Sequence, residues 1–151
     1  MNSSPRHSPA DTESGAYLLA INLKVRLELD IHSLPRRTAG MPVLAPGRYV
    51  YCGSAYGPGG PGARIARHLR RDKAPRWHVD RLTLAGKIVQ TGILAGGSEC
   101  NLCAGLRALP GVGVPLSGFG SSDYQACPAH LLAVPLDFDI AAYLSGFRSP
   151  A

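Results

Sequence analysis

The stretch that most constrains this chain is Gly47-Arg-Tyr-Val-Tyr-Cys-Gly-Ser-Ala-Tyr-Gly, followed by Ala63-Arg-Ile-Ala-Arg-His-Leu-Arg-Arg. Arg48 to Cys52 is rich in aromatic and β-branched residues with a glycine at each end, which predicts a buried strand that stops abruptly. Gly57, Gly59, Gly60 and Gly62 predict a pliable turn. Beyond it the periodicity becomes helical. At 100° per residue Arg64, Arg67, His68 and Arg71 gather on one side, while Ile65 and Leu69 fall together well away from them. The apolar pair is expected to face a core and the basic side a ligand. Strand, turn and helix would then present positive charge at the strand's exit, where an anionic phosphodiester fits. A solvated basic face with no ligand is the alternative that composition leaves open.

The 151 residues suit one domain with its own core. The 16 Lys and Arg against 10 Asp and Glu give a net charge of +6, which points to an acidic partner such as nucleic acid, a phosphorylated ligand or an anionic surface. No stretch approaches the ~20 apolar residues of a membrane span, and the N-terminus lacks the apolar core of a signal peptide. The expectation is therefore no membrane partner and a cytoplasmic location, in which the 4 cysteines are reduced.

Residues 1–14 are polar and proline-containing and are expected to form a disordered tail. Gly15 to Leu23 is a nearly continuous apolar run, as for a central strand covered on both faces. Val25 to Ile31 alternates strictly, which predicts an edge strand with one wet face. Ser33 to Pro46 is a proline-broken loop. Pro75 to Leu84 has helical spacing, Lys87 to Leu94 suits a strand, and Ser98 to Leu109 suits a helix with Ser98 as N-cap. After a Gly- and Ser-rich segment, Pro110 to Asp123, come a short strand at His130 to Pro135 and an amphipathic helix at Ile140 to Phe147. These elements predict an α/β fold of the α+β kind: a small central sheet, mixed or mainly antiparallel, flanked by helices. The expected division is a tail (1–14), a domain (15–135) and a C-terminal helix and tail (136–151).

Gly15-Ala16-Tyr17, then Tyr51-Cys52-Gly53, then Arg64 and His68 on one helix and Glu99 at the start of another, resemble the GIY-YIG nuclease superfamily. The likeness is closest to its branch known as the domain of unknown function 123 family, sometimes found beside DNA-repair modules. That branch's segments recur as Gly47 to Ala55, Arg64 to Arg70, Trp77 to Asp80, Glu99-Cys100, and Phe119 to Asp123. The resemblance implies a domain that cuts phosphodiester bonds of nucleic acid, with DNA the expected substrate, using one divalent metal, Mg or Mn, in the manner of a repair endonuclease. It implies Glu99 as metal ligand, Tyr17 and Tyr51 positioning or deprotonating the attacking water, Arg64 stabilising the developing charge, and His68 assisting as a hydrogen-bonding or proton-shuttling partner. Arg67, Arg70, Arg71 and His78 are the candidate nucleic-acid contacts. The chain departs from the superfamily in carrying Ala16 and Cys52 where isoleucines are common, and in placing an alternating strand and a proline-rich loop between the first two motifs. The alternative is a non-catalytic nucleic-acid-binding module that keeps the fold and the basic helix.

Cys100-x2-Cys103 and Cys127-x2-His130 have the ligand types and short spacings of a tetrahedral zinc site. Small reduced residues packed in a core fit the same pattern. A zinc-stabilised interaction domain is thus a third reading.

Overall fold

The structure is a computed structural model, described here for residues 14–29, 42–56, 59–115 and 130–147. The apolar run forms β1 (Gly15–Leu23), which pairs antiparallel with β4 (Gly47–Ala55) on one side and β5 (Lys87–Ala95) on the other. β6 (Leu131–Val134) adds to the outer side of β4, so the sheet runs β5-β1-β4-β6 with every pair antiparallel. Among the described residues four helices flank it: α1 (Gly60–Leu69), α2 (His78–Ala85), α3 (Glu99–Arg107) and α4 (Ile140–Gly146).

Alternation along the strands sorts the core into two layers. Tyr17, Leu19, Ile21, Leu23, Tyr49 and Leu131 point to the face covered by Ile65 of α1 and by Val79 and Leu82 of α2. Ala16, Leu18, Ala20, Val50, Cys52, Leu132 and Val134 point the other way, onto Leu102, Cys103 and Leu106 of α3 and Ile140 of α4. This double coverage is why β1 reads as one unbroken apolar run. On β5, Gly92 leaves room for α4: a Cβ there would lie 2.5 Å from Ile140 and 2.7 Å from Leu144.

Three local expectations are corrected. The alternating segment after Val25 is not an edge of the main sheet. Only Leu27–Glu28 (β2) is extended, and it pairs with Val43–Leu44 (β3) in a separate ribbon; Asp30 and Ile31 lie outside the described residues. Because β4 and β5 take both sides of β1, the segment that follows β1 cannot fold back onto it as a hairpin, and it pairs with the residues just before β4. The glycine turn is shorter than expected, because the helix starts at Gly60 and absorbs Pro61 and Gly62; Pro61 fits there because the first turn needs no amide from it. Finally, α1 is rotated about its axis. Ile65 and His68 are buried, whereas Leu69 is 51% exposed. A partner for the imidazole inside the core, described next, outweighs the burial of one leucine.

Other boundaries agree closely. Ser98 accepts the Asn101 amide as N-cap of α3, and Asp139 does the same for Ala142 at α4. The expected N-terminal tail, but for Ser14, the Phe119 to Asp123 segment and Cys127 lie outside the described residues.

Candidate active site

The antiparallel register sets Tyr17 of β1 opposite Gly53 of β4. The phenol ring lies over that glycine: a Cβ at position 53 would stand 2.5 Å from the Tyr17 oxygen. Gly53 is therefore the space that lets the tyrosine lie flat across the strand pair. Its hydroxyl then reaches His68 of α1, with Oη 2.7 Å from Nε2. Tyr51, two residues before Gly53, closes the group; its ring centroid is 6.3 Å from that of Tyr17 and 5.8 Å from that of His68. Trp77 packs on the remaining side of the imidazole at 5.4 Å.

Burial sets the protonation states. Desolvation raises the phenol pKa of Tyr17 and pushes that of Tyr51 well up; Glu99 adds to both shifts, and Arg64 opposes both. Each responds to Glu99 and Arg64, so all four groups share one electrostatic neighbourhood. His68 is lowered to about 4, first by desolvation and then by the Lys73 charge, and is neutral at pH 7. Its Nδ1 is buried with no partner among the described residues. Lys73 lies close because its ammonium caps α1, donating to the carbonyls of Arg67 and His68.

A second layer holds this group in place. Asp80, fully buried on the first turn of α2, takes a two-pronged ion pair from Arg67 at 2.9 and 3.0 Å. The same carboxylate accepts the amides of Arg76 (2.8 Å) and Trp77 (2.9 Å). Burial by itself would raise its pKa, but the guanidinium and the two amides outweigh that and hold the carboxyl below its ordinary value. Arg67 in turn lies over the Trp77 ring at 4.1 Å, and Arg64 stands 5.0 Å from its centroid. Asp80 thus ties α1, α2 and the segment between them into one unit.

All five residues expected to be catalytic meet at this end of the sheet. Tyr17, Tyr51 and His68 touch, Arg64 is exposed beside them, and Glu99 arrives at the first position of α3 with 8% of its surface exposed. The residues expected to grip nucleic acid are used differently. Arg67 is committed to Asp80, and Arg71 caps the end of α2 by donating to the carbonyls of Thr83, Leu84 and Gly86. Arg70 pairs with Asp72 in open solvent, and His78 is half-buried on the first turn of α2. The missed residues are Asp80 as the organiser and Arg76. The signal for Asp80 was in the chain, as an acidic residue three positions after the helix N-cap.

The cysteines are divided. Cys103 is fully buried in the same core layer as Cys52, and both are free thiols. Cys100 is disulfide-bonded, which corrects the expectation of four reduced cysteines, and its sulfur is 3.8 Å from Nε2 of His130. On its other side His130 places Nδ1 3.7 Å from the Glu99 carboxylate. Among the described residues no three potential ligands gather into a metal group, and Cys127 lies outside them. Nor does any helix among them have the length and apolarity to cross a membrane.

An antiparallel sheet with a tyrosine, histidine and carboxylate cluster at one end defines an α+β domain built around a polar site. The model of the family described as Domain of unknown function DUF123 matches residues 16–147, and the chain belongs to that family. No curated protein and no solved structure gives a significant match.

Proposed function

We propose that this protein is a divalent-metal-dependent endonuclease of the GIY-YIG kind that cleaves phosphodiester bonds of DNA, in a repair setting. The observation that carries the reading is the convergence of Tyr17, Tyr51, Arg64, His68 and Glu99, drawn from two strands and two helices.

The chemistry follows from the protonation states. Tyr17 keeps its proton at neutral pH, so it serves as a relay and not as a standing base. As water attacks phosphorus, its proton passes to Tyr17 Oη while the phenol proton moves to Nε2 of His68, and the bond to the leaving oxygen breaks. Neutral His68 can accept that proton, and its low pKa returns it readily to the leaving group through Tyr17. Tyr51 restricts the water to this approach. Arg64 stands where charge builds on the phosphoryl oxygens, the usual form of electrostatic stabilisation.

Glu99 is the residue suited to a hard cation. No Lys or Arg among the described residues forms an ion pair with its carboxylate, and one such oxygen ligand serves a Mg or Mn ion that keeps several waters. When bound, that ion would polarise the phosphate and acidify a water.

A non-catalytic nucleic-acid-binding module is the second reading, favoured by the exposed guanidinium groups of Arg64 and Arg76, which suit phosphate binding with or without cleavage. Cleavage of structured DNAs with Mg or Mn decides between them. Wild type should cut, and Glu99→Gln should lose orders of magnitude in rate with little change in affinity, as for an interaction made mainly in the transition state. Binding without cutting by wild type favours the second reading. Normal cleavage by Glu99→Gln refutes the assigned site.

A further inference from the structure

Beside the tyrosine-histidine group a cleft of about 380 Å³ opens between the start of α1 and the segment leading into α2. Arg64, Arg67, Arg76 and Trp77 line it, with Gly60 and Ala63 keeping one wall low. We propose that this cleft is a subsite for a single unpaired nucleotide, its phosphate held between Arg64 and Arg76 and its base against Trp77.

Charge accounting gives the phosphate. Arg67 is neutralised by Asp80, but among the described residues the ion pairs leave Arg64 and Arg76 without an acidic partner. The cleft therefore carries two uncompensated guanidinium groups, a geometry suited to forking onto phosphate oxygens. The start of α1 adds to this, since its first turn has neither an acidic residue nor a side-chain cap. Aromatic surface gives the base. Trp77 is partly exposed; Arg67, held by Asp80, stays over the ring at 4.1 Å, while Arg64, 5.0 Å from the ring centroid, is exposed and free to exchange its place on the ring for a phosphate. Stacking on an aromatic side chain beside a cationic groove is how unpaired bases are held.

Size then selects the form of the ligand. A volume of about 380 Å³ is that of a site for one small molecule, not a surface for a duplex. A paired base cannot reach Trp77 without leaving its stack, so the subsite favours flaps, single strands or bases that flip out at low cost. That substrate class rests on the nuclease reading above; binding of the nucleotide does not.

Trp77 is the only tryptophan of the chain, so its emission reports on the cleft directly. The full chain is titrated separately with deoxyadenosine monophosphate, inorganic phosphate and deoxyadenosine. The expected result is a saturable change with the nucleotide, at least about tenfold tighter than with phosphate or nucleoside alone. Arg76→Ala keeps the backbone amide that Asp80 binds, so the melting curve should hold while nucleotide affinity falls about tenfold. A single-stranded oligonucleotide should shift the emission and a blunt duplex of the same sequence should not. No saturable change, equal affinity for phosphate and nucleotide, an unaffected Arg76→Ala variant, or a duplex response equal to the single strand would each overturn the proposal. A protein that meets these expectations yet cuts nothing loses the nuclease reading and keeps the subsite.

Discussion

The two faces of the sheet are built from different material. Under α3 and α4 the core is chiefly aliphatic, aromatic and thiol: Leu18, Leu102, Leu106 and Leu132 are fully buried, Tyr143 meets Phe138 and Phe147 at ring separations of 5.9 and 5.7 Å, and the buried polar pair Glu99 and His130 sits at the start of α3. Under α1 and α2 the buried set includes His68, Asp80, Thr83 and the hydroxyl of Tyr17. The first face requires volume and shape. The second requires its polar atoms to find partners, because an unpaired buried group costs about 1–3 kcal/mol and a buried charge more; among the described residues the His68 Nδ1 atom is the exception. A chain that only had to fold would build both faces the first way. The expensive face is the one beside Glu99 and the arginine cleft, so the difference marks where specificity of geometry is being maintained.

Four measurements test that contrast, in falling order of expected effect. On the apolar face, Leu106→Ala should destabilise by about 3–5 kcal/mol in urea unfolding, with nucleotide-induced Trp77 emission unaltered. On the polar face, Asp80→Ala strands Arg67 and two amides. It should cost about 3 kcal/mol, the lower end for a broken buried pair because Arg67 keeps 24% of its side chain in water. Here the Trp77 signal should change as well, since Asp80 fixes that segment; a purely structural Asp80 would leave it alone.

The third measurement is pH dependence. His68 titrates near 4 in the folded chain against an ordinary 6.5, so between those values only the unfolded chain takes up this proton. Stability from this group is complete above pH 6.5 and is lost as pH falls towards 4, by about 3 kcal/mol. His78 is shifted the same way by burial and by Arg81, so the loss that disappears in His68→Gln is the part belonging to His68. An identical pH profile for wild type and variant would place the imidazole in water and undo the contrast. Smallest of all, Arg70→Ala removes a pair that is 61% and 80% exposed, and the melting temperature should barely move.

What the sequence revealed and what it hid divide along the same line. β1 was legible because nine consecutive residues, buried on both faces but for Asn22, leave an unbroken apolar run. Ser98 was legible because capping is local. The rotation of α1 was not, because a 3.6-residue period scores His68 as polar and Leu69 as apolar, whereas the deciding contact comes from Tyr17, 51 residues away. The motif residues Tyr17, Tyr51 and Gly53 could be picked out as a resemblance, yet the reason for Gly53 exists only in the strand register. Arg67 and Arg71 looked like free cations for the same reason: Asp80 and the end of α2, which occupy them, are distant in the helix's own pattern.

The register of β1 also governs how the chain can be made. Gly15 pairs with Ala55 on one side and Ala95 on the other, so the strand at the centre of the sheet precedes both of its neighbours in synthesis. At about 5–20 residues per second, the last of β5 follows β1 out of the ribosome by on the order of 4–16 s. β4 arrives about halfway through that interval; until then nine residues of almost uniformly apolar strand have no partner, and until β5 follows one edge of β1 stays open, so the nascent chain exposes surface that the finished domain covers.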